Sequence, residues 1–248
     1  MLRSACHEDV CHQTGRSQPA TETDLTQPPT ERILNAPAVA VLLAGSMPVL
    51  FLIQEGLPDA GLSLAFRPSS LWTGQWWPGL LTSMFVHGDW AHMGMNALGA
   101  LAFGPPVARL MGGPKGVAGF LLFYIVCGVV ATAGYGLIHP DSYDSLVGAS
   151  GAVFGLMGAA LRLLGRRDRH LGSLGDRRFL LSGAVIMGVN AVAGLVGLAP
   201  GMEGAEVAWE AHAFGFVCGA LLIGPWTRVF GSRREPFASP PDLRDPDL

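Results

Sequence analysis

The sequence predicts an all-α integral membrane protein, a single bundle of six transmembrane helices. Three observations predict it. Half of the 248 residues are apolar and only 14% are charged, against about 25% charged in soluble domains. Apolar runs of near-spanning length recur six times between residues 36 and 228. The basic residues gather on one side of those runs. Glycine, 34 of 248 residues, is roughly twice as common as average, which suits helices whose backbones approach closely in lipid.

Residues 1–35 are rich in Thr, Gln, Pro, Asp and Glu and show no apolar period, so they are expected to be a disordered tail. No cleavable signal peptide is expected, because the first apolar run starts only near Ala36. Within the tail, Cys6-His7-Glu8-Asp9-Val10-Cys11-His12 offers two thiols and two imidazoles, but the spacing matches no standard zinc motif. Reduced thiols in a solvated tail are the simpler reading. Ala36–Ile53 is the first predicted helix, interrupted by Pro48. Residues 54–80 are expected to be a long loop whose Trp72, Trp76 and Trp77 favour the headgroup layer.

The second helix is predicted over Trp90–Leu110, kinked at Pro105-Pro106, and the third over Val117–Ile138. His139–Val147 reads as a short acidic loop. The fourth helix starts at Ser150 and reaches Leu164 before Arg166-Arg167 closes it. Its length, about 22 Å at 1.5 Å per residue, falls short of a hydrocarbon core of about 30 Å. Ser150 is therefore expected below one membrane surface, at a helix N-terminus. A basic loop over Arg166–Arg178, a fifth helix over Phe179–Leu198, a loop over Pro200–Glu206 and a sixth helix over Val207–Trp226 complete the bundle. Residues 229–248 form a polar tail. Cys127 and Cys218 sit in apolar helices as small packing residues.

Six passes with the N-terminus in the cytoplasm place fifteen of the sixteen Lys and Arg on the cytoplasmic side, Arg67 being the exception. The positive-inside rule then puts both termini in the cytoplasm, as in a multi-pass protein of a bacterial inner membrane. Ser150, His87, His92 and the start of the sixth helix fall near the outer face. A net charge of −3 and the absence of a basic stripe interleaved with aromatics argue against nucleic acid as a partner.

Strongly polar side chains inside spans are expensive and mark function by default. They are few: His92 and Asn96 on the second helix, Ser150 on the fourth, Asn190 on the fifth, Glu210 and His212 on the sixth. His92 and Asn96, four apart, share a face. Gly151, Gly155 and Gly158 form one small-residue stripe, and Ala208, His212, Gly215 and Gly219 another. If the stripes face each other, the His212 ring reaches Ser150 with Phe154 stacked beneath it.

A serine hydroxyl becomes nucleophilic when a base within about 3 Å takes its proton. With no carboxylate to orient the imidazole, the Phe154 ring is the candidate support. The Ser150 N–H, the His92 ring and the Asn96 amide are candidate oxyanion donors, helped by the positive end of the fourth helix. Each residue has a plainer reading. Ser150 could bond a backbone carbonyl, and Asn96 and Asn190 could be interhelical glue. His87, His92 and His212 would need to converge to hold a metal, and no thiolate or carboxylate completes such a set. His87 is expected to line an aqueous mouth, and Glu210 to be solvated near the outer interface.

Three stretches taken together resemble the rhomboid family of intramembrane serine proteases: His87-Gly88-Asp89-Trp90-Ala91-His92-Met93-Gly94-Met95-Asn96, then Gly148-Ala149-Ser150-Gly151, then Ala211-His212-Ala213-Phe214-Gly215 with Gly219 following. The resemblance covers about residues 36–228 and implies a rhomboid-type core. It implies Ser150 as nucleophile, His212 as general base, and His92 and Asn96 at the oxyanion site beside Gly148, with Gly151 and Gly215 in the supporting seam. It implies transmembrane protein substrates drawn from the lipid bilayer, cut near the outer face after small residues, with no cofactor and no metal. Two departures stand out. Phe154 takes the place of a common Tyr, and Ala108 followed by Arg109 takes the place of a glutamate four residues beyond Gly104. The competing readings are a non-catalytic rhomboid-like scaffold that binds transmembrane clients, which would lack the Ser or the His, and a small transporter, which would show inverted repeats.

Overall fold

The structure, a computed structural model, describes residues 36–75, 77–164, 171–197 and 208–231. The tail before Ala36 with its Cys/His stretch, Trp76, the Arg166–His170 part of the basic loop, the loop ahead of the sixth helix and the tail beyond Gly231 lie outside the described residues.

The regular structure of the described residues is all helical apart from two isolated β-bridges. Six helices of twelve residues or more form the bundle: α1 (Ala38–Glu55), α2 (Trp90–Ala108), α3 (Gly113–Ile138), α4 (Ser150–Leu161), α5 (Arg177–Val196) and α6 (Trp209–Phe230). Four of these, α1, α3, α5 and α6, are long and apolar enough to cross a membrane. The protein is therefore an integral, multi-pass helical bundle. The polar face of α2 and the brevity of α4 keep those two outside that set.

Helix boundaries follow local chemistry. The Asp89 carboxylate accepts from the His92 N–H at 2.8 Å and starts α2. Asp176 does the same for α5 through the Arg178 N–H at 2.9 Å, two residues ahead of the predicted start. Pro114 opens α3 early, where its missing N–H costs nothing. The helix assignment runs through Pro105-Pro106, the point where a kink is expected. Both prolines lie in the last turn of a continuous α2, and the Arg109 N–H still bonds the Pro105 carbonyl at 3.0 Å. The 54–80 stretch is not simply a loop. It holds one-turn helices at Leu62–Leu64, Ser70–Thr73 and Gly79–Thr82, the last running into Ser83–Phe85.

α4 is the centre of the bundle. It packs most extensively on α6 and also touches α2, α3 and α5, while α1 packs on α2. The two glycine stripes face each other. A Cβ at Gly215 would collide with the Gly151 carbonyl, one at Gly219 with the Gly155 carbonyl, and one at Gly158 with the Phe216 carbonyl. Backbone meets backbone along about two turns, which is how small residues drive helix association when no water is available to be expelled.

Polar ties then fix the register. The Arg162 guanidinium donates to the carbonyls of Ala220 (2.8 Å) and Gly172 (3.0 Å). The Trp226 indole donates to the Gly119 carbonyl at 2.9 Å, joining α6 to α3. Ala108 is buried in the apolar core.

Candidate active site

Ser150 is the first residue of α4, and the chain reaches it through an extended segment pinned on two sides. Phe66 and Leu146 exchange backbone hydrogen bonds at 3.0 and 2.7 Å. The Gly148 N–H donates to the Ser83 carbonyl at 2.9 Å. Gly148 has φ +114°, and a Cβ there would lie 2.6 Å from His92 Nε2, so the position demands glycine twice over. The first N–H groups of a helix have no intrahelical partner. Ser150 therefore stands at the end of α4 that carries these donors and the positive end of the helix dipole.

His212 lies in the first turn of α6, across the seam. Its Nε2 is 2.8 Å from Ser150 Oγ. Its ring is stacked on Phe154, with centroids 4.3 Å apart and planes 6° from parallel. Its Nδ1 is 2.7 Å from Asn190 Oδ1, and the Asn190 amide nitrogen donates to the Trp209 carbonyl at 3.0 Å. The glycine seam makes this possible: Gly151 and Gly215, directly below, hold the two helices close enough for a serine and an imidazole to meet.

His92 and Asn96 bring a second wall. The Gly88 N–H approaches His92 Nδ1 at 3.5 Å, which leaves Nε2 to carry the ring proton toward Gly148. Asn96 is buried, and its amide nitrogen has no hydrogen-bond partner among the described residues. It lies 3.6 Å from where a Gly148 Cβ would be. Buried amides are almost always paired, so an unpaired amide nitrogen on the wall of the cavity that Ser150 also lines stands out. A cavity of about 1090 Å³ opens onto Ser150, His212, His92, Asn96, Gly148 and Phe154, and continues past Met157, Ala102 and Phe103.

His87 and Glu210 differ from expectation. His87 does not line the cavity. It is 2% exposed, edge-on to Phe51 and His92, in the loop ahead of α2. Gln54 on α1 draws it inward: its side chain donates to the His87 carbonyl at 2.7 Å and accepts from the His87 N–H at 2.9 Å. Glu210 is not freely solvated. Its carboxylate lies 3.3 Å from His139 Nε2, at the end of α3.

Burial pushes the His87 imidazole down from 6.5 to about 4. Between those values the unfolded chain binds a proton that the folded chain does not. Stability is thus complete above pH 6.5, falls as pH drops toward 4, and levels off below. From pH 6.5 to 5 the loss is roughly 2 kcal/mol. His87→Gln is expected to remove that part of the acid sensitivity, read as thermal unfolding in detergent at pH 7 and pH 5. Equal sensitivity in both proteins would refute it.

Asn190 and Gln54 are the residues that sequence reasoning undervalued. Asn190 was legible only as an amide that glues helices. Yet it and His212 both fall within two turns of the α5–α6 connection, so their matching depth was a usable signal. Nothing in the sequence pointed to Gln54.

Comparison with known proteins agrees with the fold. The family model for the Rhomboid domain matches residues 73–228, more than half of the chain. Two similar proteins come from Bacillus subtilis. YdcA, classed by name with the rhomboid proteases, is 33% identical over 135 residues, covering 52% of this chain and 65% of its own. The rhomboid protease GluP is 36% identical over 103 residues, covering 41% and 19%. RHOMBOID-like protein 9, chloroplastic, of Arabidopsis thaliana is 36% identical over 88 residues, covering 36% and 18%. The chain thus spans less than two thirds of each relative's length. On the strength of the domain match and these relatives, the chain belongs to the rhomboid serine-protease family.

Proposed function

We propose that this protein is an intramembrane serine endopeptidase that cleaves transmembrane segments of other proteins near the outer face of the membrane. The observation that carries the proposal is the 2.8 Å approach of His212 Nε2 to Ser150 Oγ across the glycine seam. In this reading α2 and α4 complete six passes. Both termini are cytoplasmic, with tails over 1–35 and 229–248, and the Ser150 end of the bundle faces outward, as the distribution of Lys and Arg favours. A bacterial inner membrane suits that arrangement.

The reaction then runs through the chain's own groups. His212 Nε2 takes the Ser150 hydroxyl proton as Oγ bonds to the scissile carbonyl carbon. The carbonyl oxygen becomes an oxyanion. The Ser150 N–H, His92 Nε2–H and the unpartnered Asn96 amide supply hydrogen bonds to it. The protonated imidazole returns its proton to the leaving amine as the C–N bond breaks, leaving an acyl ester on Ser150. A water, deprotonated by the same nitrogen, attacks that ester, and Oγ leaves with the proton. No cofactor is needed for any of these steps. Phe154 holds the ring by stacking without contributing a hydroxyl.

A helical substrate keeps its carbonyls internally bonded in lipid, so it must unwind locally before it reaches Ser150. Segments carrying glycine or other weak helix formers near the cut are expected to be the best substrates. Small side chains before the cut suit the family.

The test is cleavage by the purified protein in liposomes against a panel of single-pass substrates, with cut sites mapped by mass spectrometry. Cuts within the outer part of the spanning segment, absent with Ser150→Ala, are expected. Binding of the same segments without any cut would favour the scaffold reading. Asn96→Ala is expected to lower kcat by about 100- to 1000-fold with intact folding. A loss under threefold would remove Asn96 from the oxyanion site.

A further inference from the structure

We propose that Asn190 on α5 is a positioning residue that decides which imidazole nitrogen of His212 faces Ser150. This rests on the Ser150–His212 reading above and extends it to a third helix.

The argument starts at the Trp209 carbonyl. A carbonyl oxygen can only accept, so the Asn190 group 3.0 Å from it must be the NH₂. The amide therefore cannot be flipped, and its oxygen is the atom 2.7 Å from His212 Nδ1. That oxygen carries no hydrogen, so Nδ1 must donate. A neutral imidazole has one N–H. With Nδ1 protonated, Nε2 presents its lone pair to Ser150 Oγ at 2.8 Å, the orientation a general base needs. One backbone carbonyl thus fixes the tautomer through two side chains.

The Phe154 stack cannot do this. Planes 6° from parallel resist tilting of the ring. They do not distinguish a nitrogen from a carbon when the ring turns over about its Cβ–Cγ bond. Only a directional acceptor makes that distinction, and Asn190 supplies it from a buried position.

The placement has a consequence for α5. Only 11% of its apolar window is buried within the protein, against 28% to 50% for the other membrane-length helices. Its packing is chiefly on α6 and α4. One turn beyond Asn190, Gly194 lies against the Trp209 side chain, where a Cβ would meet it at 2.7 Å. Orientation of the base therefore depends on the docking of the least enclosed of these helices.

The experiment uses the full chain in liposomes, labelled with ¹⁵N-histidine, together with the rate of reaction with a fluorophosphonate. The His212 signals are assigned by their loss in His212→Ala. In the wild type His212 is expected to carry its proton on Nδ1. Asn190→Leu, of similar volume, is expected to give a mixture of tautomers and a labelling rate lower by roughly 10- to 100-fold. Its KM for a cleaved substrate should stay within about threefold, as expected when only the reacting geometry is disturbed. Asn190→Asp, which keeps an acceptor oxygen in place, is expected to restore the tautomer and most of the rate. A wild-type His212 protonated on Nε2 would overturn the proposal without any variant. So would an Asn190→Leu protein with wild-type rate and tautomer, or equal losses in both variants with the tautomer unchanged. Failure of the underlying Ser150–His212 reading looks different, because the wild type would then label no faster than Ser150→Ala.

Discussion

His212→Ala is expected to lower both substrate cleavage and fluorophosphonate labelling by about 10⁴-fold or more, with the fold intact. At neutral pH the Ser150 hydroxyl is almost wholly un-ionised, and no other base lies within hydrogen-bond reach of Oγ among the described residues. The imidazole also returns the proton to the leaving amine, so its loss affects bond breaking as well as attack. Groups that act as one unit are not additive. The Ser150→Ala/His212→Ala double variant is therefore expected to lose no more than either single variant. His212→Ala also unstacks Phe154, so unfolding temperature should be measured alongside the rate. Activity within tenfold of wild type in a folded His212→Ala protein would show that another group takes the proton.

Gly219→Val is the second large effect, and it acts through the seam. The added Cβ would fall on the Gly155 carbonyl. Because the obstacle is backbone, no rotamer change relieves it, and α4 and α6 must separate. Overpacking of this kind typically costs 1–3 kcal/mol, and occasionally more; with backbone against backbone, about 3 kcal/mol or more is expected. Displacing the two helices by even about 1 Å would separate Ser150 from His212, and such misplacement costs on the order of 100-fold in rate. Gly45→Ala is the control. A Cβ at Gly45 meets nothing within 4 Å, and the residue lies inside α1. It is expected to be neutral or slightly stabilising. Thermal unfolding in detergent and cleavage in liposomes check both. A Gly219→Val protein with wild-type stability and rate would show that the seam is not the close contact argued here.

Much of this arrangement is legible in the sequence, for identifiable reasons. The start of α4 at Ser150 and the facing glycine stripes can be read because small residues at helical spacing have few other uses in apolar runs. Helix ends move by two to four residues where an unread device sets them: the Asp176 cap on α5, Pro114 opening α3. The one-turn helices between Leu62 and Phe85 have too few residues to show a period.

His87 illustrates a deeper limit. A histidine beside polar residues reads as facing water, but Gln54 holds its backbone inward from a helix 33 residues earlier. Asn190 was visible as a costly polar group in a span. Its partner was not, because the depth and rotation of α5 against α6 depend on the Gly194–Trp209 and Gly183–Phe216 contacts rather than on any local pattern.

The most direct measurement is the site of covalent attachment of a fluorophosphonate. After reaction of the intact protein in liposomes, peptide mass spectrometry is expected to find the phosphonyl group on Ser150 Oγ alone, and to find none on Ser150 in His212→Ala over the same interval. A wild-type protein that stays unmodified at Ser150, or one modified there equally fast without the imidazole, would contradict the account.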